Sequence, residues 1–323
     1  MNADNKAVAV AQNTSKTLHG KKTKSLKETL FDRANVGIMV ILSLITLYPF
    51  WYVLVLSFNT GRDAAEGPIW FWPRQFTLEN YVYVLNYGSL KSAFAVTVGR
   101  CIAGALLTVS VSMLAAFSLS KRFLPGRKAI LFFFMLPMFI GGTMISHYVV
   151  VTKLHLLNNF LVYVIPGAFT FFGMVIMRTH IEEIPGELEE SAMLDGANYW
   201  TIFIRIILPL SKPIIAAFLF FSIVEGWLDL YTNLIYVTDR KLFTLQYILY
   251  MVINSNEASY MARDVNNAGA AALRRMRLNR SSLPTPEVTK MTVMVIVTFP
   301  ILFIYPFFQK YFIKGMLVGA IKA

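Results

Sequence analysis

The chain is 323 residues long, 56% hydrophobic and only 15% charged, and its mean hydropathy is +0.56. A soluble domain carries about 25% charged residues, so the composition excludes an ordinary water-soluble enzyme and, over most of the length, a disordered chain. The net charge of +12 fits the Lys/Arg bias that holds cytoplasmic loops of membrane proteins on their side. No basic stripe lies on a foldable soluble domain, which argues against nucleic acid as a partner. A single cysteine, Cys101, excludes a disulfide framework, and four scattered histidines argue against a metal site.

Residues 1–33 are polar and basic, with Lys6, Lys16, Lys21, Lys22, Lys24, Lys27 and Arg33. No apolar core precedes a small-residue cleavage site, so this segment reads as a cytoplasmic tail rather than a signal peptide. Residues 26–31 are amphipathic in pattern. Crossing a bilayer takes about 20 mostly apolar residues. Six runs meet that length or nearly so: 34–61, 101–120 (starting near Ser92 and including Arg100), 129–152, 156–177, 213–237 and 291–309. They are continuously apolar rather than alternating, which predicts helices and not a β-barrel. The expected fold is an all-α polytopic membrane protein with six transmembrane helices over 34–313, followed by a short cytoplasmic C-terminus at 314–323.

An even number of spans places both termini inside. Lys121, Arg122, Arg127 and Lys128 flank a turn built on Pro125-Gly126, and Lys310, Lys314 and Lys322 follow the last span. The first outer loop carries only Arg62 and Arg74. The outer loop 238–290 runs against the charge rule, with Arg240, Lys241, Arg263, Arg274, Arg275, Arg277, Arg280 and Lys290. Long loops translocate with less regard to charge, and its apolar stretch at 244–253 is too short to cross. The basic run Arg274 to Arg280 could steer an acidic sugar or the acidic face of a binding protein, or simply be solvated.

Between the fourth and fifth spans lies a charged segment, 181–212. Pro185 can open a helix, and Glu187, Glu189 and Glu190 then occupy its first turns, where the helix dipole favours acid. Leu188, Ala192 and Met193 form an apolar flank, and Asp195-Gly196 ends the helix, with Gly196 free to turn left-handed. A second helix begins near Asn198, carries Trp200, Phe203, Ile204 and Ile207, and stops at Leu208-Pro209 before Lys212-Pro213 opens the fifth span. From the residues alone this is either a docking helix or a solvated elbow. Within the fifth span, Glu225 and Asp229 lie four apart on one face. A carboxylate at the bilayer centre costs roughly 2.5–3.5 kcal/mol, so both should face a polar cavity, a partner or the outer interface. Phe132, Phe133, Phe134, Phe171 and Phe172 read as lipid-facing or packing groups, and Trp70, Trp72 and Tyr81 as an interfacial belt.

Glu190-Ser191-Ala192, Asp195-Gly196-Ala197 and Ile206-Ile207-Leu208-Pro209 together resemble the EAA signature of binding-protein-dependent ABC transporter permeases. Glu190, Ala192, Gly196 and Pro209 stand in register, and Ser191 replaces the usual middle Ala. Residues 117–129 are similar to the family's second turn, and Lys310 to Gly315 with Gly319-Ala320-Ile321-Lys322 resembles the C-terminus of its maltose and oligosaccharide group. Glu225-Gly226-Trp227-Leu228-Asp229 sits where that group often has Gly-x-Trp-Asn, and Leu228 departs from the Asn. The long, Ala-rich 238–290 loop looks most like permeases for complex plant or uronate-containing oligosaccharides.

The resemblance implies the MetI-like permease fold in a bacterial cell membrane and a transport role rather than an enzyme. It implies no cofactor in this chain, ATP being bound by partner ATPase subunits, and no G-x-x-x-x-G-K-[ST] phosphate loop is present here. The partners implied are a second homologous permease, an ABC ATPase dimer, an extracytoplasmic solute-binding protein, a sugar and the lipid bilayer. Residues 186–197 would be the coupling helix, with Glu187, Glu190, Ala192, Asp195, Gly196 and Pro209 in the ATPase-coupling role. Glu190 would make a charge contact, Gly196 the sharp turn, and Pro209 would stop the second helix. Glu225, Trp227 and Asp229 would line the substrate path, with Trp227 stacking a sugar. The alternatives are an ABC importer for a non-sugar solute, a secondary transporter, or a membrane-embedded enzyme. A secondary transporter would need charges through several spans, and an enzyme a converging cluster that His19, His147, His155 and His180 do not form in sequence.

Overall fold

The computed structural model describes residues 26–86, 89–254 and 285–320. Most of the basic tail, the cations Arg263, Arg274, Arg275, Arg277 and Arg280, and Lys322 lie outside the described residues. The chain forms two compact units, Met1–Tyr52 and Val53–Ala323.

In the first unit the described element is the body of α1 (Leu26–Ser57). The amphipathic stretch at 26–31 is its first turns and not a separate helix. Ser43 and Thr46 donate their hydroxyls to the carbonyls of Met39 and Leu42 at 2.8 and 2.9 Å, which satisfies polar groups that lipid cannot.

The second unit takes the end of α1 and the remaining helices. These are α2 (Gly61–Glu66), α3 (Glu79–Leu85), α4 (Leu90–Ser120), α5 (Arg127–Ile140), α6 (Met144–Lys153) and α7 (Phe171–Glu182). Then follow α8 (Glu187–Leu194), α9 (Tyr199–Leu210), α10 (Lys212–Leu228), α11 (Tyr231–Tyr236), α12 (Leu245–Asn254) and α13 (Pro286–Ala320). Among the described residues there is no strand beyond one isolated bridge, Asn59 to Phe76. The protein is an all-α polytopic membrane protein.

α4 is the axis of this unit. At 31 residues it is long enough to cross a bilayer with some tilt. Its N-terminal half packs Leu90, Ala93 and Cys101 into one core with Trp227, Leu245 and Val293. Its C-terminal half packs Val109, Met113 and Phe117 into another with Met174, Ile202 and Ile207. α10 lies close against α4 at Gly226, where an added Cβ would sit 3.4 Å from the Cys101 sulfur. Such small residues let membrane helices approach.

Among the described residues three helices are individually long and apolar enough to cross: α1, α4 and α13 over Pro286–Gln309. α9 and α10 pass the same test only together, bent by 78° at the break between them. Three of the expected spans are not single continuous helices. The 129–152 run is two helices, α5 and α6, because Gly141 takes φ 63° and Thr143 caps α6 by accepting the amide of Ser146. The 156–177 run is irregular up to Thr170 apart from one 3-10 turn (Phe160–Tyr163), and α7 begins only after Pro166-Gly167. Screening for charge alone ignored these Pro and Gly breakers. Irregular backbone at membrane depth is tolerated where it is buried in protein or lines a cavity, and Val162, Tyr163 and Val164 are all buried. The 213–237 run ends as a helix at Leu228, with α11 a separate short helix. α12 has 10 residues and is too short to cross, as expected.

A polar knot ties the loop after α1. Asn80 donates to the carbonyls of Ser57 and Asn59 at 2.9 and 2.8 Å, and Asn59 and Arg74 both donate to Asp63 Oδ2, at 2.9 and 3.0 Å. The hydrogen bond from Asn59, with Arg74 beside it, holds the Asp63 carboxyl below its ordinary pKa against the opposing effect of burial.

Candidate functional site

The acidic segment folds as its residues dictate. Gly186 is the N-cap of α8, Pro185 stands just before it, and Glu187, Glu189 and Glu190 occupy the first turn. Gly196 takes φ 80°, and its amide and that of Ala197 donate back to the carbonyls of Met193 and Ala192 at 3.0 and 2.9 Å. This is a Schellman stop, in which the left-handed residue favours glycine. Ala192 is half-buried against the core of Met174 and Ile202. Asn198 then caps α9, its side-chain oxygen accepting the Thr201 amide at 2.8 Å.

Pro209 does not stop α9, contrary to expectation. It sits inside the last turn, and the stop falls at Ser211. Proline has no N–H to return to the carbonyl four residues back, and the turn before it, Phe203–Ile207, widens into a π-helix.

The charges of this segment divide into two sets. Glu189 pairs with Lys121, which also lies 4.4 Å above the Phe117 ring. Glu182 receives Arg127 at 2.5 Å and Arg178 at 3.0 Å, and Arg127 also donates to the Leu119 carbonyl at 2.7 Å. Phe123 and Tyr199 meet at 5.7 Å between ring centroids. α8 and α9 are thereby clamped onto the turn between α4 and α5. Glu187, Glu190 and Asp195 are exposed and make no ion pair among the described residues, and Leu194 between them is 90% exposed. The segment thus presents an acidic and apolar tip on a braced base. Lys121 figured in the sequence only as a topology marker, and its pairing with Glu189 depends on tertiary structure.

At the other candidate site, a partly open cavity of about 880 Å³ lies between α4, the 162–172 segment and α10. Glu225 and Asp229, four apart at the end of α10, both line it. Trp227 does not. Its ring is buried, and its Nε1 donates to the Val297 carbonyl of α13 at 3.0 Å, so it joins α10 to α13 and is not placed to stack a sugar in this cavity. Asp229 is held by Arg100 of α4, at 2.5 Å from Nη2 to Oδ2, while its Oδ1 accepts the Thr232 amide at 3.2 Å. The Arg100 guanidinium lies 4.4 Å above the Tyr163 ring. Tyr163 in turn points its hydroxyl at Asn233 Oδ1 (3.1 Å) and the Leu242 carbonyl (2.8 Å). A lone cation within an apolar run calls for a buried acid, and that signal in the sequence could have paired Arg100 with Asp229.

The family described as "Binding-protein-dependent transport system inner membrane component" matches residues 108–318, which include the acidic segment and most of the cavity lining. The chain belongs to this family. Two relatives come from Bacillus subtilis (strain 168). Protein LplC is 32% identical over 306 residues, covering 95% of this chain and 98% of LplC. The polygalacturonan/rhamnogalacturonan transport system permease protein YtcP is 33% identical over 298 residues, covering 92% of this chain and 100% of YtcP. In the crystal structure of a bacterial ABC transporter involved in the import of the acidic polysaccharide alginate, one chain matches with a TM-score of 0.79 and 23% identity over 90% of this chain and 100% of that one. That likeness is one of fold. As an inner membrane component the protein is a transport subunit and not an enzyme, and it works with an ATPase and a solute-binding protein.

Proposed function

We propose that this inner membrane component is one of two permease subunits in an ATP-driven importer of a sugar, specifically an oligosaccharide. The observation that carries the reading is near full-length similarity to a permease named for polygalacturonan and rhamnogalacturonan transport, in a chain whose acidic segment is built as a braced, protruding tip. In this reading 186–197 docks in a cleft of the ATPase dimer, which binds the ATP. Both termini and α8 face the cytoplasm, the 238–290 loop faces outward, and a second homologous permease completes the path across six crossings per subunit.

Glu187, Glu190 and Asp195 contact the ATPase, Ala192 seats α8 on its own core, and Gly196 makes the turn. Closure of the ATPase dimer pushes α8. The Lys121–Glu189 pair carries that push to the turn at the end of α4, and the bent α9–α10 junction carries it to the cavity. Glu225 and Asp229 line the substrate path there. The test is detergent co-purification with the products of neighbouring genes, followed by ATP hydrolysis with a panel of oligosaccharides. Recovery of an ATPase and a second permease, with hydrolysis stimulated by a sugar-loaded binding protein, is the expected result. Solute movement by the isolated chain, or labelling of α8 from outside the cell, would overturn it.

A further inference from the structure

Three charged side chains line the cavity among the described residues: Arg100, Glu225 and Asp229. Arg100 is already paired, although its buried Nε has no hydrogen-bond partner among the described residues. Its side chain is 5% exposed, Nη2 holds the Asp229 carboxylate and Tyr163 covers one face. Those two charges cancel. Glu225 lies one helical turn before Asp229, is exposed, and has no ion-pair partner among the described residues. The described wall therefore carries one net negative charge and no free cation.

We propose that Glu225 is the specificity determinant of this cavity, admitting uncharged oligosaccharides and rejecting those that bear uronate carboxylates, an inference that rests on the sugar-importer reading above. An entering uronate meets a like charge across a partly open cavity, at a separation and effective dielectric where the repulsion is still felt. It also loses hydration without gaining a cation. A neutral sugar meets neither cost. Its hydroxyls donate to the Glu225 carboxylate in charge-assisted hydrogen bonds, and Ser222 offers another partner. The exposed rings of Phe172 and Phe221 offer flat apolar surface to its C–H faces. The cavity chemistry thus points away from the acidic cargo for which YtcP is named. One like charge at about 10 Å, at an effective dielectric near 20, disfavours the anion by about tenfold.

The experiment uses the complete transporter in proteoliposomes with its partner permease, ATPase and binding protein. ATP hydrolysis is measured with galactotetraose, xylotetraose, arabinotetraose and maltotetraose as neutral probes and with tetragalacturonate as the acidic one. At least one neutral probe is expected to stimulate hydrolysis, with tetragalacturonate about tenfold less effective. Glu225→Gln should raise the ratio of the tetragalacturonate response to the neutral response about tenfold, the neutral response itself falling as the charge-assisted hydrogen bonds weaken, while Glu225→Asp keeps the discrimination. Equal wild-type responses to acid and neutral probes, or an unchanged ratio in Glu225→Gln, would overturn the assignment. Silence toward every probe would instead sink the sugar-importer reading, and this inference with it.

Discussion

Asp229→Asn tests whether the tie between α4 and the end of α10 is a structural pair. The substitution keeps the side-chain shape and an Oδ1 acceptor for the Thr232 amide, but removes the negative charge facing Arg100. Arg100 and Asp229 are 5% and 21% exposed. Stripping one partner from a buried pair costs about 3–5 kcal/mol, because the remaining charge stays buried and unpaired. The Tyr163 ring remains beneath the guanidinium and offsets part of this, a cation–π contact being worth up to about 2 kcal/mol when desolvated. The expected loss is therefore near the lower end, about 3 kcal/mol. Arg100→Met should cost less, since Asp229 is the more exposed partner and keeps the Thr232 amide. The double variant buries no lone charge and should recover at least about 2 kcal/mol relative to the sum of the singles. Unfolding free energies from denaturation in mixed micelles provide the assay. A cost for Asp229→Asn within about 0.5 kcal/mol of zero, or strict additivity in the double variant, would refute the reasoning.

Gly196→Asp places a side chain at φ 80°, where an added Cβ meets nothing within 4 Å. Its intrinsic cost is backbone strain of about 1–2 kcal/mol, so insertion and assembly should survive while uptake is lost; normal transport with normal ATPase assembly would rule out the coupling role. Lys121→Glu and Glu189→Lys should each lower transport per ATP hydrolysed, and the double swap should restore it; if the singles match wild type in a reconstituted assay, the clamp carries no motion. Asp63, held below the ordinary carboxylate pKa chiefly by Asn59, contributes stability that is full above about pH 3.9 and is lost as pH falls through its lower folded value. Hydrogen exchange across residues 57–80 should thus stay protected at pH 5 and loosen only in stronger acid. Asp63→Asn should be less protected at pH 7 and flat with pH, and a wild-type profile equally flat would disprove the linkage.

Local chemistry in the sequence determined much of this protein. The apolar runs of α1, α4 and α13 needed no tertiary information, since their length and lack of charge already require the bilayer. The stop at Gly196, the cap at Asn198 and the acidic first turn of α8 are equally local, because each is decided within about four residues. The family resemblance was equally local, resting on that segment and its spacing to Pro209 together with short matches at 117–129, 225–229 and 310–322. Tertiary structure decided the rest. Gly141, Pro166 and Gly167 are breakers the sequence already carries, but the irregular backbone after α6 persists only because it is buried and lines a cavity. Trp227 and Asp229 are two residues apart, yet one turned to α13 and the other to Arg100. Helical spacing fixes which face a residue occupies, but which neighbour that face meets depends on partners 70 or 129 positions away. Charge pairing across such distances leaves no periodic trace in the chain, so only the folded protein shows that Asp229 has a cation while Glu225 has none among the described residues.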